Sequence, residues 1–548
     1  MTHRFGFLWR TILLATAFSS TVYAAESAAP EIPLSLRISP QEYHKTIADV
    51  FGSDIVITGR FEPEKREEGL MAVGARSANI SADGIELYDN LARGIAAQVV
   101  EPQRRKTLFK CAPRDVATRD DACTRSFLAS AGRFLFRRPL TEQELTARVR
   151  RAGDVAEKKG DFYAGISAVL SEMLLAPQFL YRIRKVEPDT ANPGQNRLDS
   201  YSRASMLSSY LWGSAPDDKL LKAAESGELL TAEGLWLQVD RMLSSPNVEG
   251  GVRAFFSDMF GFDEFETLSK DATFFPRFTP KVVEQAREQT LRTIVEHVVG
   301  ERRDYRDLFT TPNTYLTRPL AAIYNVPIVD KADNAQPDRW IRYTYPENDP
   351  RAGILSQISF VALHSPAGRT SPTLRGKALR EYIMCQAVPA PPGNVDFKLV
   401  QDSSNPNLRT ARDRLSAHAT EAMCTGCHKI TDPMGLALET FDSGGGYRTS
   451  ENDAPINTTG EHRGIKFDGP VGLAKVVRDD PAITTCVAKR SFAFAAGRSP
   501  TANDPAWQQI EKQFKDSGYN VIELMRRVAT SEMIYAIPAQ TASAQPVK

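Results

Sequence analysis

Residues 424–448 read CTGCHKITDPMGLALETFDSGGGYR. The stretch opens on Cys424-Thr425-Gly426-Cys427-His428, a C-x-x-C-H. Two thiols about one helical turn apart can add to the two vinyl groups of a haem, and the imidazole that follows then lies over the iron as an axial ligand. The pattern predicts one covalently attached haem c, with Cys424 and Cys427 as attachment points and His428 as the proximal iron ligand. A structural C-x-x-C disulfide and half of a zinc site are the competing readings. A zinc ribbon needs a second C-x-x-C, and the chain has none.

Covalent haem attachment in bacteria takes place outside the cytoplasm, so the N-terminus bears on the motif. Arg4 and Arg10 form a short basic region, residues 11–18 (TILLATAF) a short apolar one, and Val22-Tyr23-Ala24 a small-x-small cleavage site. This is the pattern of a secretory signal peptide cut after Ala24, too short to span a bilayer. No later apolar run is long enough to cross a membrane. The expected location is periplasmic or secreted. The formal charge is +1, and cleavage removes Arg4 and Arg10 but no acid, which leaves −1. That balance argues against a general nucleic-acid or anionic-membrane partner.

Six cysteines are present. In an oxidising compartment Cys111 and Cys123, twelve apart in a polar loop, are expected to form a local disulfide. Cys385 and Cys486 either pair, stapling the two sides of the haem segment together, or stay as buried thiols.

Working outward, the chain reads as mainly α. Ser39-Pro40-Gln41-Glu42 and Thr141-Glu142-Gln143-Glu144 have capping-box spacing, and Thr279-Pro280 opens a third helix. Residues 165–181 (GISAVLSEMLLAPQFLY) and 207–212 (LSSYLW) read as core helix. The best strand is 340–345 (WIRYTY). Polar or Pro/Gly-containing breaks at 186–195 and 389–395 divide the chain. The predicted organisation is a signal peptide at 1–24, an N-terminal helical domain at 25–105 and a helical domain with the local disulfide at 106–185. A central helical domain follows at 196–400, then a cytochrome c-like haem-attachment segment at 401–470, a C-terminal helical domain at 471–537 and a disordered tail at 538–548.

The blocks along the chain carry a resemblance. The haem stretch is similar to the C-x-x-C-H-x-x-x-D-P-x-G-x-x-L-E-x-F-D-x-x-G-x-x-R run of the planctomycete cytochrome-like multidomain proteins. RISPQEYHKTIADVFG (37–52), FLFRRPLTEQEL (134–145), LLAPQFLYRI (174–183), SSYLWGSAPDDKLL (208–221), GILSQISFVALHSPAGRTSPTLRG (353–376) and FAAGRSP (494–500) resemble its other blocks, in order. The resemblance implies an exported protein built from the consecutive domains of unknown function 1587, 1595, 1592, 1588 and 1585. It assigns no activity. Phe494 stands where that family usually has Tyr, so no hydroxyl chemistry is expected there.

Among the remaining residues, Asp432, Glu439 and Asp442 either serve the site, for example by orienting His428, or hold turns. Arg448 and Arg498 are candidates for haem propionates or ordinary ion pairs. The candidates for a sixth iron ligand are His462, His418, His364 and Met434. No G-x-S-x-G or H-E-x-x-H motif points to a hydrolase. The functional expectation is an exported c-type haem protein. It would act in periplasmic electron transfer or within a haem-dependent oxidoreductase, with a periplasmic redox partner or exported enzyme and an N-terminal docking or substrate-binding scaffold. The rival is a non-redox exported binding or scaffold protein whose C-x-x-C is a disulfide.

Overall fold

The computed structural model describes residues 33–328, 336, 338–351, 353–390, 402, 405–418 and 422–537. The signal-peptide reading of 1–24 and the tail at 538–548 lie outside them. The protein is mainly helical, and its strands among the described residues form five short antiparallel pairs. None of the described helices is long and apolar enough to cross a membrane.

Two hydrophobic cores organise the described residues. The first is built from residues between Ile38 and Leu180. Its helices, Pro40–Phe51, Ala82–Val99, Asp121–Leu135, Glu142–Lys159 and Phe162–Leu174, start at side-chain caps from Ser39, Ser81, Asp120, Thr141 and Asp161. Each cap satisfies an amide that a helix start would otherwise leave unbonded. The Cys111–Cys123 disulfide ties the approach to Asp121–Leu135, with Cys123 in that helix's first turn. Strand Ser35–Arg37 pairs with Tyr181–Ile183 and closes the unit.

The second core takes residues from the middle and the end of the chain, with Leu70 and Val73 reaching in from the N-terminal part. Its centre is helix Ser200–Trp212, buried on nearly every face. Helix Val248–Met259 crosses it at Gly251, where a Cβ would stand 2.2 Å from the Leu211 carbonyl oxygen. The C-terminal helices Pro481–Ala496, Pro505–Asp516 and Val521–Thr530 return to this core, bringing Phe492, Trp507 and Met525 into one cluster with Leu207 and Tyr210. The Cys385–Cys486 disulfide fastens that return.

Local signals and structure differ in two places. Thr141 makes the full reciprocal capping box with Glu144, but Ser39 caps alone. Glu42 instead turns inward, accepts from Ser209 at 3.1 Å and lies near Arg137 and Arg182. Burial beside two guanidiniums outcompetes the local cap. Residues 186–195 are no bare linker. Val186–Pro188 pairs with Asn196–Leu198 as a hairpin whose turn is braced by Asp189.

Candidate haem-attachment site

The C-x-x-C-H lies on helix Ala422–Leu436. Cys424 and Cys427 take part in neither disulfide, and Cys424 is buried. Burial, reinforced by Asp432, pushes the Cys427 thiol's pKa up. His428 and Asp432, four residues apart, share one face of the helix. The His428 Nδ1 and the Asp432 carboxylate are 2.7 Å apart. This hydrogen bond raises the His428 pKa against the opposing effect of burial.

Asp432 is itself held. Its second oxygen accepts from the Thr373 hydroxyl at 2.8 Å and from Thr431 at 3.1 Å. Thr373 belongs to helix Pro372–Ala378, which packs on the haem-motif helix through two glycines. A Cβ on Gly376 would stand 2.0 Å from the Thr431 carbonyl oxygen, and one on Gly435 1.8 Å from that of Pro372. Only glycine permits this backbone approach. Asp432-Pro433, read as a turn, lies inside the helix near its C-terminal end. A proline ring there removes one amide donor, at a place where the helix is about to stop.

His428 lines an open cavity of about 920 Å3 with Asp432, Pro433, Leu436, Leu415 and Phe467. Arg412, Lys429 and Lys466 also line it, together with the acids Glu461 and Asp468, and Arg412 is already bonded to the Asn457 and Thr459 carbonyl oxygens. The far wall is the hairpin Gly460–His462 and Ile465–Phe467, pressed so close that a Cβ on Gly460 would lie 2.6 Å from the Pro433 carbonyl. Cys424 and Cys427 lie off this lining. The volume falls within the usual range for bound organic ligands. By residue type, two thiols outside any disulfide followed by an imidazole whose Nδ1 is already engaged fit a c-type haem; the cavity offers that imidazole, Thr425 from between the two cysteines, and apolar walls, while the thiols themselves stand off its lining.

The sixth-ligand candidates are dispersed. Met434 is on the helix's other face, in the second core. His462 bonds Asp480 at 2.7 Å. His364 is buried, stacked on Tyr382 and edge-on to Phe360; burial, with Arg375 and Lys270 adding to it, holds its pKa down to about 3. None of the three lines the cavity. His418 ends helix Ala411–His418, on the cavity's Leu415 side, but its side chain is outside the described atoms.

The other acids and arginines hold the scaffold. Asp442 accepts from the Gly444 and Gly446 amides and forms the glycine bend. Glu439 is buried and accepts from Thr370 at 2.6 Å, Arg448 at 3.0 Å and Arg375 at 3.3 Å. Arg448 is thus committed to Glu439, and Arg498 to the Met533 carbonyl. Thr373, Arg375 and the cavity cations were not singled out from the sequence. The block that holds Thr373 and Arg375, GRTSPTLRG, reads only as a resemblance, and no spacing links it to a helix some fifty residues on.

Five family models match in succession, each described as a protein of unknown function. They are DUF1587 over residues 37–101, DUF1595 over 123–183, DUF1592 over 198–326, DUF1588 over 351–451 and DUF1585 over 463–534. The fourth, which contains the C-x-x-C-H, carries the short name PSCyt3. The chain belongs to the planctomycete cytochrome-like multidomain family in which these five follow one another. No curated protein and no solved structure matches it.

Proposed function

We propose that the protein is an exported c-type haem protein of the periplasm, acting in electron transfer or as part of an oxidoreductase. Cys424 and Cys427 would hold one haem by thioether bonds, and His428 would ligate the iron through Nε2. The observation that carries this reading is the C-x-x-C-H helix itself. Its imidazole lines a cavity of about 920 Å3 and is held through Nδ1 by Asp432, which lines the same cavity. When bound, the haem supplies one-electron chemistry. The chain's own residues bind and orient it. Leu415, Leu436 and Phe467 supply apolar wall on one side, and Lys429 and Lys466 offer charge to its two propionates. His418 is the sixth-ligand candidate whose helix also supplies Leu415 to the cavity. Export, with cleavage after Ala24, agrees with the two disulfides, which form in oxidising compartments. The segments before residue 401 would serve as the docking or substrate-binding scaffold, in the domain divisions given above.

The test is expression of the full chain, with its own leader, beside working haem-attachment machinery. A Soret band and haem staining that survive a denaturing gel are expected, and both should vanish in Cys424→Ala/Cys427→Ala. Wild-type protein with no Soret band and a Cys424–Cys427 disulfide by mass would replace this reading with the non-redox scaffold.

A further inference from the structure

We infer that Asp432 is a positioning residue which strengthens His428 as an electron donor to the haem iron, making this a low-potential site. The inference rests on the haem reading above and extends it to a property of the site.

The argument starts from what a histidine's second nitrogen touches. An imidazole that ligates a metal through one nitrogen donates its other N–H outward, and the acceptor sets both ring angle and ligand basicity. A neutral carbonyl acceptor polarises the ring modestly. A carboxylate pulls on the proton, gives the ring anionic character and favours the oxidised metal. Here the acceptor is a carboxylate at 2.7 Å from Nδ1. It is 7% exposed, so little solvent screens it. Both of its oxygens are committed, one to His428 and the other to Thr373 at 2.8 Å and Thr431 at 3.1 Å.

Its position is fixed by more than hydrogen bonds. Asp432 lies between Thr431, whose carbonyl oxygen the Gly376 backbone approaches, and Pro433, whose carbonyl oxygen the Gly460 backbone approaches. The carboxylate therefore cannot drift away from the ring without moving a helix or a hairpin. Thr373 comes from the neighbouring helix, 59 residues earlier, and acts as a brake. Its donated hydrogen bond withdraws charge from the carboxylate and limits the pull on His428.

This arrangement makes two opposite expectations. Asp432→Asn replaces a charged acceptor by a neutral one and weakens the donor, so the haem should become easier to reduce. Thr373→Val removes the brake and leaves the carboxylate more basic, so the haem should become harder to reduce. A purely structural role gives no reason for opposite signs.

The experiment is optical redox titration of purified, haem-loaded full-length protein, wild type against the two variants, with the spin state read from the same spectra. For Asp432→Asn we expect at least a tenfold rise in the reduced-to-oxidised ratio at fixed ambient potential, equivalent to about 59 mV for one electron. For Thr373→Val we expect a smaller change in the opposite direction. Midpoints that coincide with wild type in both variants, or that move the same way, overturn the inference while leaving covalent haem attachment standing. If Asp432→Asn does not accumulate folded protein, Thr373→Val decides alone, because an upward or absent shift contradicts the brake. Absence of covalent haem from the wild type would instead defeat the underlying reading, and the inference with it.

Discussion

Replacing Arg375 by Met should strongly destabilise the second core. Arg375 is fully buried. Its guanidinium donates to the carbonyl oxygens of Val361, Leu438, Phe441 and Asp442, to the Ser365 hydroxyl and to Glu439. One side chain thus ties the 361–365 turn to the segment that follows the haem-motif helix. Burial lowers its pKa to about 10, with the Glu439 carboxylate resisting that fall, so it remains charged at neutral pH. Methionine nearly preserves volume, so little of the loss is cavity. What is lost is one partner of a buried ion pair, about 3–5 kcal/mol, with orphaned carbonyls adding about 1–3 kcal/mol where water cannot reach them. Arg448 and Thr370 still hold Glu439, which argues for the lower half of the combined range, about 4–6 kcal/mol. Urea unfolding followed by tryptophan fluorescence should show the transition containing Trp507 moving to lower urea. Glu439→Gln in the Arg375→Met background should recover part of it, because a buried carboxylate left with Arg448 as its one guanidinium partner becomes neutral. A loss below about 1 kcal/mol, or no recovery in the double variant, would refute the view that this arginine organises the segment.

Two further perturbations follow from the same contacts. Gly435→Ala would place a Cβ 1.8 Å from the Pro372 carbonyl oxygen. The two helices must separate, so a loss of at least about 3 kcal/mol in the same urea assay is expected, at or beyond the upper end of ordinary overpacking. Glu64 lines the small cavity of about 60 Å3 between the two cores, where burial, with Asp258 adding to it, raises its pKa from 4.5 to about 7. Between those values the unfolded chain has released a proton that the folded chain retains, so stability falls as pH rises from about 4.5 to 7 and is flat above. With partial exposure discounted, the fall is about 2 kcal/mol, and Glu64→Gln should abolish it in unfolding curves measured at pH 5 and 8.

Local chemistry was legible in the sequence, whereas long-range polar contacts were not. Ser39, Thr141 and Thr279 mark helix starts because a cap and its amides lie within three residues. WIRYTY gives strand Ile341–Thr344 because alternation is a local property. The C-x-x-C-H falls on a helix, as its spacing requires. Asp432 was legible as a possible orienter of His428 because the two are one turn apart. Glu42 was misread as a cap partner because its actual neighbours, Ser209 and Arg182, are distant in sequence. Thr373 and Arg375 have the same cause. Their partners in the haem segment lie 59 to 67 residues away, and no periodicity encodes such a pairing. The Cys385–Cys486 pairing stayed open for the same reason, being 101 residues apart.

The same long-range contacts bear on what the N-terminal unit can do. Arg184 donates to the Ala496 carbonyl oxygen at 3.0 Å, across 312 residues. Arg490 reaches back to the Glu68 carbonyl, and Arg66 joins Asp258 and Asp263. The Met71 and Ala72 amides donate to the Asp258 carboxylate at 2.7 and 2.9 Å. A docking module on a free tether would show none of this. Charged groups buried at a seam are costly to separate, because each loses a partner before water reaches it. The first core is therefore locked to the second, and Arg490 belongs to the same helix as Cys486, whose disulfide partner Cys385 closely follows the helix that braces Asp432. A partner bound to the first core would therefore sit on a body continuous with the second core and not on a freely tethered module.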